Sequence, residues 1–187
     1  MMLDWFRRLF QLPPGASSFA AGVDALHAFV IGASLVGACG IALTLVAYLV
    51  RYRERTPGSS TPRLVVSSKR EALLVGGILG LFLVWWVLGY RQYLHMRRAP
   101  PGANTIYVTA KQWMWKFAHE NGMLENDMLT LPVGVPVQLI ATSRDVIHSL
   151  YVPAFRVKQD VLPGRYLSLW FEPTQVGTFA IECAEYC

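Results

Sequence analysis

Two long apolar stretches open the chain, and a series of short alternating ones follows. After Asp24, the polar residues up to position 50 are His27, Ser34, Thr44 and Tyr48 alone. Positions 72–89 carry no charge, and Trp85 and Trp86 stand toward the far end. At ~1.5 Å of rise per residue, helices over about 24–50 and 71–94 cross a hydrocarbon core of about 30 Å. Arg51-Tyr52-Arg53-Glu54-Arg55 ends the first stretch, and Tyr90-Arg91-Gln92-Tyr93 collars the second with interfacial aromatics. Upstream, Trp5-Phe6-Arg7-Arg8-Leu9-Phe10 is too short for a signal peptide, and Pro13-Pro14-Gly15 breaks it. Residues 1–23 therefore form an interfacial segment outside the cytoplasm.

A linker, Ala99-Pro100-Pro101-Gly102, separates this hairpin (24–98) from a second domain over 99–187. There, strand-like runs at 105–109, 112–117, 135–141, 146–152, 166–171 and 178–183 alternate with breakers. The breakers are Asn121-Gly122, Pro132-Val133-Gly134, Pro163-Gly164 and Pro173. Short strands spaced by Pro and Gly turns predict a sandwich or barrel. The fold class is α+β: a transmembrane helical hairpin followed by a β-sandwich.

Composition adds orientation. The chain is 53% hydrophobic with 16% charged residues and a net charge of +5. Much of the basic excess flanks the apolar stretches, which reads as topology rather than nucleic-acid binding; no nucleic-acid motif accompanies it. Arg51, Arg53, Arg55, Arg63, Lys69 and Arg70 lie between the spans, against Arg7 and Arg8 before them and Arg91, Arg97 and Arg98 after. The loop thus faces the cytoplasm, and both termini lie on the extracytoplasmic side.

Candidate chemistry gathers in the second domain. Cys183 and Cys187 stand four positions apart in Cys183-Ala184-Glu185-Tyr186-Cys187, two soft ligands on one short loop. Soft thiolates select copper(I), zinc or iron–sulfur; in an oxidising compartment a disulfide is the structural alternative. His148, in Asp145-Val146-Ile147-His148-Ser149, is either a ligand or a hydrogen-bonded core histidine. A strand-borne histidine near a ligand-rich loop is a layout that copper-binding Greek-key domains use. Cys39, between Ala38 and Gly40, is expected to be a small packed hydrophobe. In an extended segment Trp113, Trp115 and Phe117 share one face, as an aromatic stripe in a core would. Glu120, Glu125 and Asp127 follow as a solvated acidic turn. No nucleophile or acid–base pair stands out.

Four ordered segments carry a resemblance: Gln112-Trp113-Met114-Trp115-Lys116-Phe117; Asp145-Val146-Ile147-His148-Ser149-Leu150-Tyr151-Val152-Pro153; Lys158-Gln159-Asp160-Val161-Leu162-Pro163-Gly164-Arg165; and Cys183-Ala184-Glu185-Tyr186-Cys187. Together with Ala16-Ser17, Ala20 and Val23-Asp24-Ala25-Leu26 before the first span, they resemble subunit II of haem–copper cytochrome c oxidases over nearly the whole chain. The resemblance implies a cupredoxin-like Greek-key sandwich holding a binuclear copper centre, copper-A. It assigns Cys183 and Cys187 as bridging thiolates, His148 as a terminal ligand and Glu185 as a carbonyl ligand. The Glu185 carboxylate would also reach a magnesium ion at the border with subunit I. The family completes its ligands with a histidine four residues past the second cysteine and a methionine three further on. The sequence stops at Cys187 before either, so a continuing C-terminus is expected.

The resemblance further implies electron entrance from cytochrome c at Trp113 and, at Glu71, the mouth of a proton channel. The span after Glu71 lacks the family's usual Trp and Pro. The acidic turn would steer a basic cytochrome c. Partners are then oxidase subunit I, which bears the haem and reduces oxygen, other oxidase subunits, cytochrome c or a fused cytochrome c domain, and a bacterial plasma membrane. Two alternatives stay open: a copper-free quinol oxidase subunit II, and a membrane-anchored copper carrier acting alone.

Overall fold

The computed structural model of the chain describes residues 9–54, 58 and 65–187. The aromatic and basic residues of the expected interfacial segment, Trp5, Phe6, Arg7 and Arg8, lie outside the described residues, as do Arg55 and Arg63. Helix α1 runs Ala20–Arg51 and helix α2 Ser68–Arg97, and both are long and apolar enough to cross a membrane. Glu71 in the first turn of α2 and His95 and Arg97 in the last suit the helix dipole, whereas Lys69 and Arg70 beside Glu71 oppose it. The chain divides into two compact units, Leu26–Gly89 and a unit that joins the stretch up to Ala25 to Tyr90–Cys187. Within the helical unit Phe29 and Phe82 meet the Trp85 ring edge-on. Cys39 is exposed on α1, not packed inside protein as expected; every neighbour on that helix surface is apolar and equally open.

In the second unit, period-2 alternation builds two facing sheets. Strands β1 (Asn104–Lys111), β2 (Met114–His119), β3 (Leu124–Asn126), β4 (Val137–Ser143) and β7 (Leu167–Phe171) form one, in the order β3-β2-β1-β4-β7. Strands β5 (His148–Val152), β6 (Val157–Val161) and β8 (Glu182–Cys183) form the other, in the order β6-β5-β8. β1 pairs with β4 in parallel, and every other neighbour is antiparallel. Ile106, Val108 and Ala110 of β1, with Val137, Leu139 and Ala141 of β4, turn their side chains inward. They meet Leu150, Val152, Val157 and Val161 of the other sheet, with Phe117, Phe155 and Phe171 filling the middle. Hydrophobic burial on this scale, at ~25 cal/mol per Å² of apolar surface, is what holds the sandwich together. An apolar cavity of about 420 Å³ remains, lined among others by Phe117, Leu139, Leu150, Phe179 and Ile181; neither His148 nor the two thiols line it.

Three expectations change. Strands β3 and β6 were not visible in the pattern, because β3 is three residues long and Lys158-Gln159-Asp160 interrupts β6 with polar side chains. The run 178–183 yields a ladder at Glu182 and Cys183 alone. Phe179 and Ile181 pack against the core without pairing, so their apolar character reports burial rather than a strand. The first helix begins earlier than Asp24, at Ala20, and its head, with Ala20 and Asp24 buried, belongs to the β-sheet unit.

Arg156 explains that burial. It follows a 3-10 turn (Pro153–Phe155) at φ 58°, a region that residues bearing a Cβ seldom adopt. Its guanidinium, 7% exposed, donates at 2.8 Å to Asp24 Oδ1 and to the carbonyl of Pro13, and also to the carbonyl of Pro153. Nearby, Trp170 donates its indole N–H to the His95 carbonyl and packs edge-on against Phe19.

Candidate metal centre

Strand pairing brings the candidate ligands together. His148 is the first residue of β5, and β8 runs antiparallel to β5 with Cys183 opposite Leu150. The Ala184 amide donates to the Ser149 carbonyl at 2.9 Å, pinning the start of the cysteine loop to the histidine strand. The loop then doubles back and sets Cys187 Sγ 3.6 Å from Cys183 Sγ. A disulfide needs about 2.05 Å, so these are free thiols in van der Waals contact. One donor atom each from His148, Cys183 and Cys187 lies within 4.8 Å of the others. Among the described residues this is the one group of three or more His, Cys, Asp or Glu side chains that could hold a metal ion.

His148 is 3% exposed, its ring edge-on to Trp115 at 5.9 Å between centroids. Its Nε2 lies 2.8 Å from Asp145 Oδ1. A carboxylate accepts only, so Nε2 carries the proton and Nδ1 is the nitrogen left to bind a metal. Asp145 is held well below the usual carboxylate range, first by the Gln112 amide hydrogen bond and then by His148. Desolvation raises the Cys183 thiol, but hydrogen bonding that involves the Ser149 and Glu185 backbone, Cys187 and His148 outweighs it and holds the thiol low. Cys187 is pushed up, chiefly by its hydrogen bond with Cys183. Cys183 is thus the first of the two to become a thiolate, the form that binds metal.

The remaining expected site residues fall as follows. Trp113 lies in the turn between β1 and β2, not on the strand, so it does not share the face of Trp115 and Phe117. It is 81% exposed, and its indole N–H donates to the Cys187 carbonyl at 3.1 Å. Phe117 is buried and Trp115 half-buried. Glu185 is exposed; its carbonyl accepts from Cys183 Sγ at 3.5 Å and its carboxylate from the Tyr186 amide at 3.1 Å. Glu71 belongs to the helical unit, exposed in the first turn of α2. Two members of the acidic turn are engaged internally. Glu125 accepts from His119 and the Thr130 amide, and Asp127 accepts from the Trp115 amide. Sequence reasoning assigned no role to Asp145, although its place three residues before His148 at a strand start was a usable signal.

The donor set suits copper, since two thiolates and an imidazole are soft and borderline ligands. It does not suit magnesium, which needs several hard oxygens. Fold and site together define a membrane-anchored, cupredoxin-like β-sandwich that gathers two thiols and an imidazole where β5 meets the segment after β8. Residues 117–187 match the family model described as the periplasmic domain of cytochrome C oxidase subunit II. The alternative cytochrome c oxidase subunit 2 of Bradyrhizobium diazoefficiens is 33% identical over 119 residues, 47% of this chain and 43% of that protein. Cytochrome c oxidase subunit 2 of Thermostichus vulcanus is 44% identical over 82 residues, 44% of this chain and 25% of that protein. The crystal structure of the periplasmic domain of subunit II of the Bradyrhizobium japonicum oxidase is 30% identical, with a TM-score of 0.45, and covers 48% of this chain and 78% of that one. Over residues 117–187 this chain is similar to the periplasmic domain of the cytochrome c oxidase subunit II family. Its match spans less than half the length of these curated relatives.

Proposed function

We propose that this chain is the electron-relay subunit of a terminal cytochrome c oxidase. It would accept electrons from cytochrome c and pass them to haem in subunit I, where oxygen is reduced to water and protons are translocated. The observation that carries this reading is the convergence of His148, Cys183 and Cys187 within 4.8 Å. A pair of copper ions held there supplies one-electron acceptor and donor chemistry. Cys183 and Cys187 would offer their sulfurs to both ions, His148 its Nδ1 and Glu185 its backbone carbonyl. Trp113 presents an open indole to a docking partner while bonded to the Cys187 carbonyl, which supports its role as the electron entrance. Magnesium at Glu185 would need several further oxygen ligands, which subunit I would supply. Glu71, exposed in the first turn of α2, would open the proton channel. The basic residues between the helices support a cytoplasmic loop, with both termini on the extracytoplasmic side of a bacterial plasma membrane.

Copper titration of the full chain tests the reading. Expected are two copper ions per chain, a thiolate-to-copper absorption band, and reduction of the loaded protein by reduced cytochrome c in a salt-dependent reaction. A chain that binds no copper, or binds it and takes no electron from cytochrome c, overturns it.

A further inference from the structure

We infer that Asp145 is a positioning residue that couples the ligand His148 to the turn carrying Trp113. The inference rests on the metal-centre reading above and adds a mechanical link that the ligands alone do not supply. One carboxylate serves both sides. Its Oδ1 accepts from His148 Nε2, and its Oδ2 accepts from the Gln112 amide at 2.7 Å, the peptide just before Trp113. Trp113 then returns to the ligand loop through its indole N–H on the Cys187 carbonyl. Histidine, carboxylate, tryptophan turn and cysteine loop thus form a chain of contacts, and a metal at the ligand atoms would join its two ends at the side chains.

The carboxylate is itself held in place. The Val146 amide donates to Oδ1 at 2.7 Å, the Ser143 hydroxyl lies 3.3 Å from the same oxygen, and the Arg144 amide ties the loop to the Ala110 carbonyl of β1. Such partners of a metal-binding histidine fix its tautomer and ring orientation, and losing one typically weakens metal binding by about 10–100-fold. Here the same loss also frees the turn that presents Trp113. A purely local turn-forming role would need the Val146 and Ser143 bonds and neither of the other two.

Asp145→Asn separates these roles. It keeps size and an acceptor oxygen at the position that serves Val146 and His148, but it loses the negative charge that raises the basicity of the histidine, and its second position is an N–H₂ donor that cannot accept from Gln112. The experiment uses the full chain with copper(I) as probe, competed against a chromophoric copper(I) chelator. Amide hydrogen exchange is followed in the metal-free protein. We expect the copper(I) dissociation constant to rise by about 10–100-fold. The peptide spanning Gln112 and Trp113 should exchange faster, while the β1–β4 ladder stays protected. Glu120→Gln, an equal loss of charge at an exposed site, should leave both readings within about twofold.

If Asp145→Asn unfolds the ladder, Asp145→Ser carries the same two readings, because a serine hydroxyl still supports the turn. Wild-type affinity in the variant overturns the inference. Weakened binding without faster exchange at Gln112 and Trp113 overturns the coupling. A wild-type chain that binds no copper(I) instead overturns the metal-centre reading itself.

Discussion

His148 is a polar ring in an apolar setting, and its chemistry follows from what surrounds it. Burial against Trp115 shields the ring from solvent, and Asp145 takes one nitrogen, so the other is left as the donor atom for a metal. His148→Ala should leave the sandwich folded and weaken copper(I) binding at least as much as Asp145→Asn, about 10–100-fold or more; chelator competition with far-UV circular dichroism checks it. Glu125 has a separate consequence. Desolvation raises it, but hydrogen bonds from Thr130 and then His119 prevail and lower its pKa from the ordinary 4.5. Its contribution to stability is therefore complete above that value and fades as pH falls through the lower folded-state value. Glu125→Gln should lower stability at neutral pH and flatten the acid limb, as measured by denaturant midpoints from pH 7 down to about 3.

At the scale of elements, the connection between the head of α1 and the β-sheets depends on one buried charge pair. Asp24 is 1% exposed and Arg156 reaches it from the far side of a 3-10 turn. Removing one partner leaves the other charge buried, which costs about 3–5 kcal/mol. Arg156→Ala should show that loss in chemical denaturation of the full chain in detergent, and replacing both partners with apolar residues should recover part of it. In the sequence Asp24 marks no more than the start of an apolar stretch. Nothing local marks Arg156 as its partner, because the pair spans 132 positions. Strand alternation was legible where a strand buries one face, as in β1 and β4. It failed at β6, whose middle residues point to solvent or to polar partners: Ser149 donates to Asp160, and Lys158 pairs with the same carboxylate.

At the scale of the whole molecule, the basic residues between the helices predict an orientation that chemistry can test. In intact cells of a Cys39→Ser variant stripped of copper by an external chelator, a membrane-impermeant maleimide should label Cys183 or Cys187 without permeabilisation. An epitope inserted at Gly58 should become reachable only afterwards. By itself the sequence determined the two membrane-spanning helices, the change to β-structure after the Pro-Gly linker, and the residue types able to bind a soft metal. These follow from composition and short periods, which are local properties of a chain. Only the tertiary structure decided that β5 and β8 are neighbours, that Trp113 leaves its strand to reach the Cys187 carbonyl, and that Asp145 joins Gln112 to His148. Those facts depend on hydrogen bonds between residues 33 and 74 positions apart, and no local pattern encodes which distant partner a donor will find.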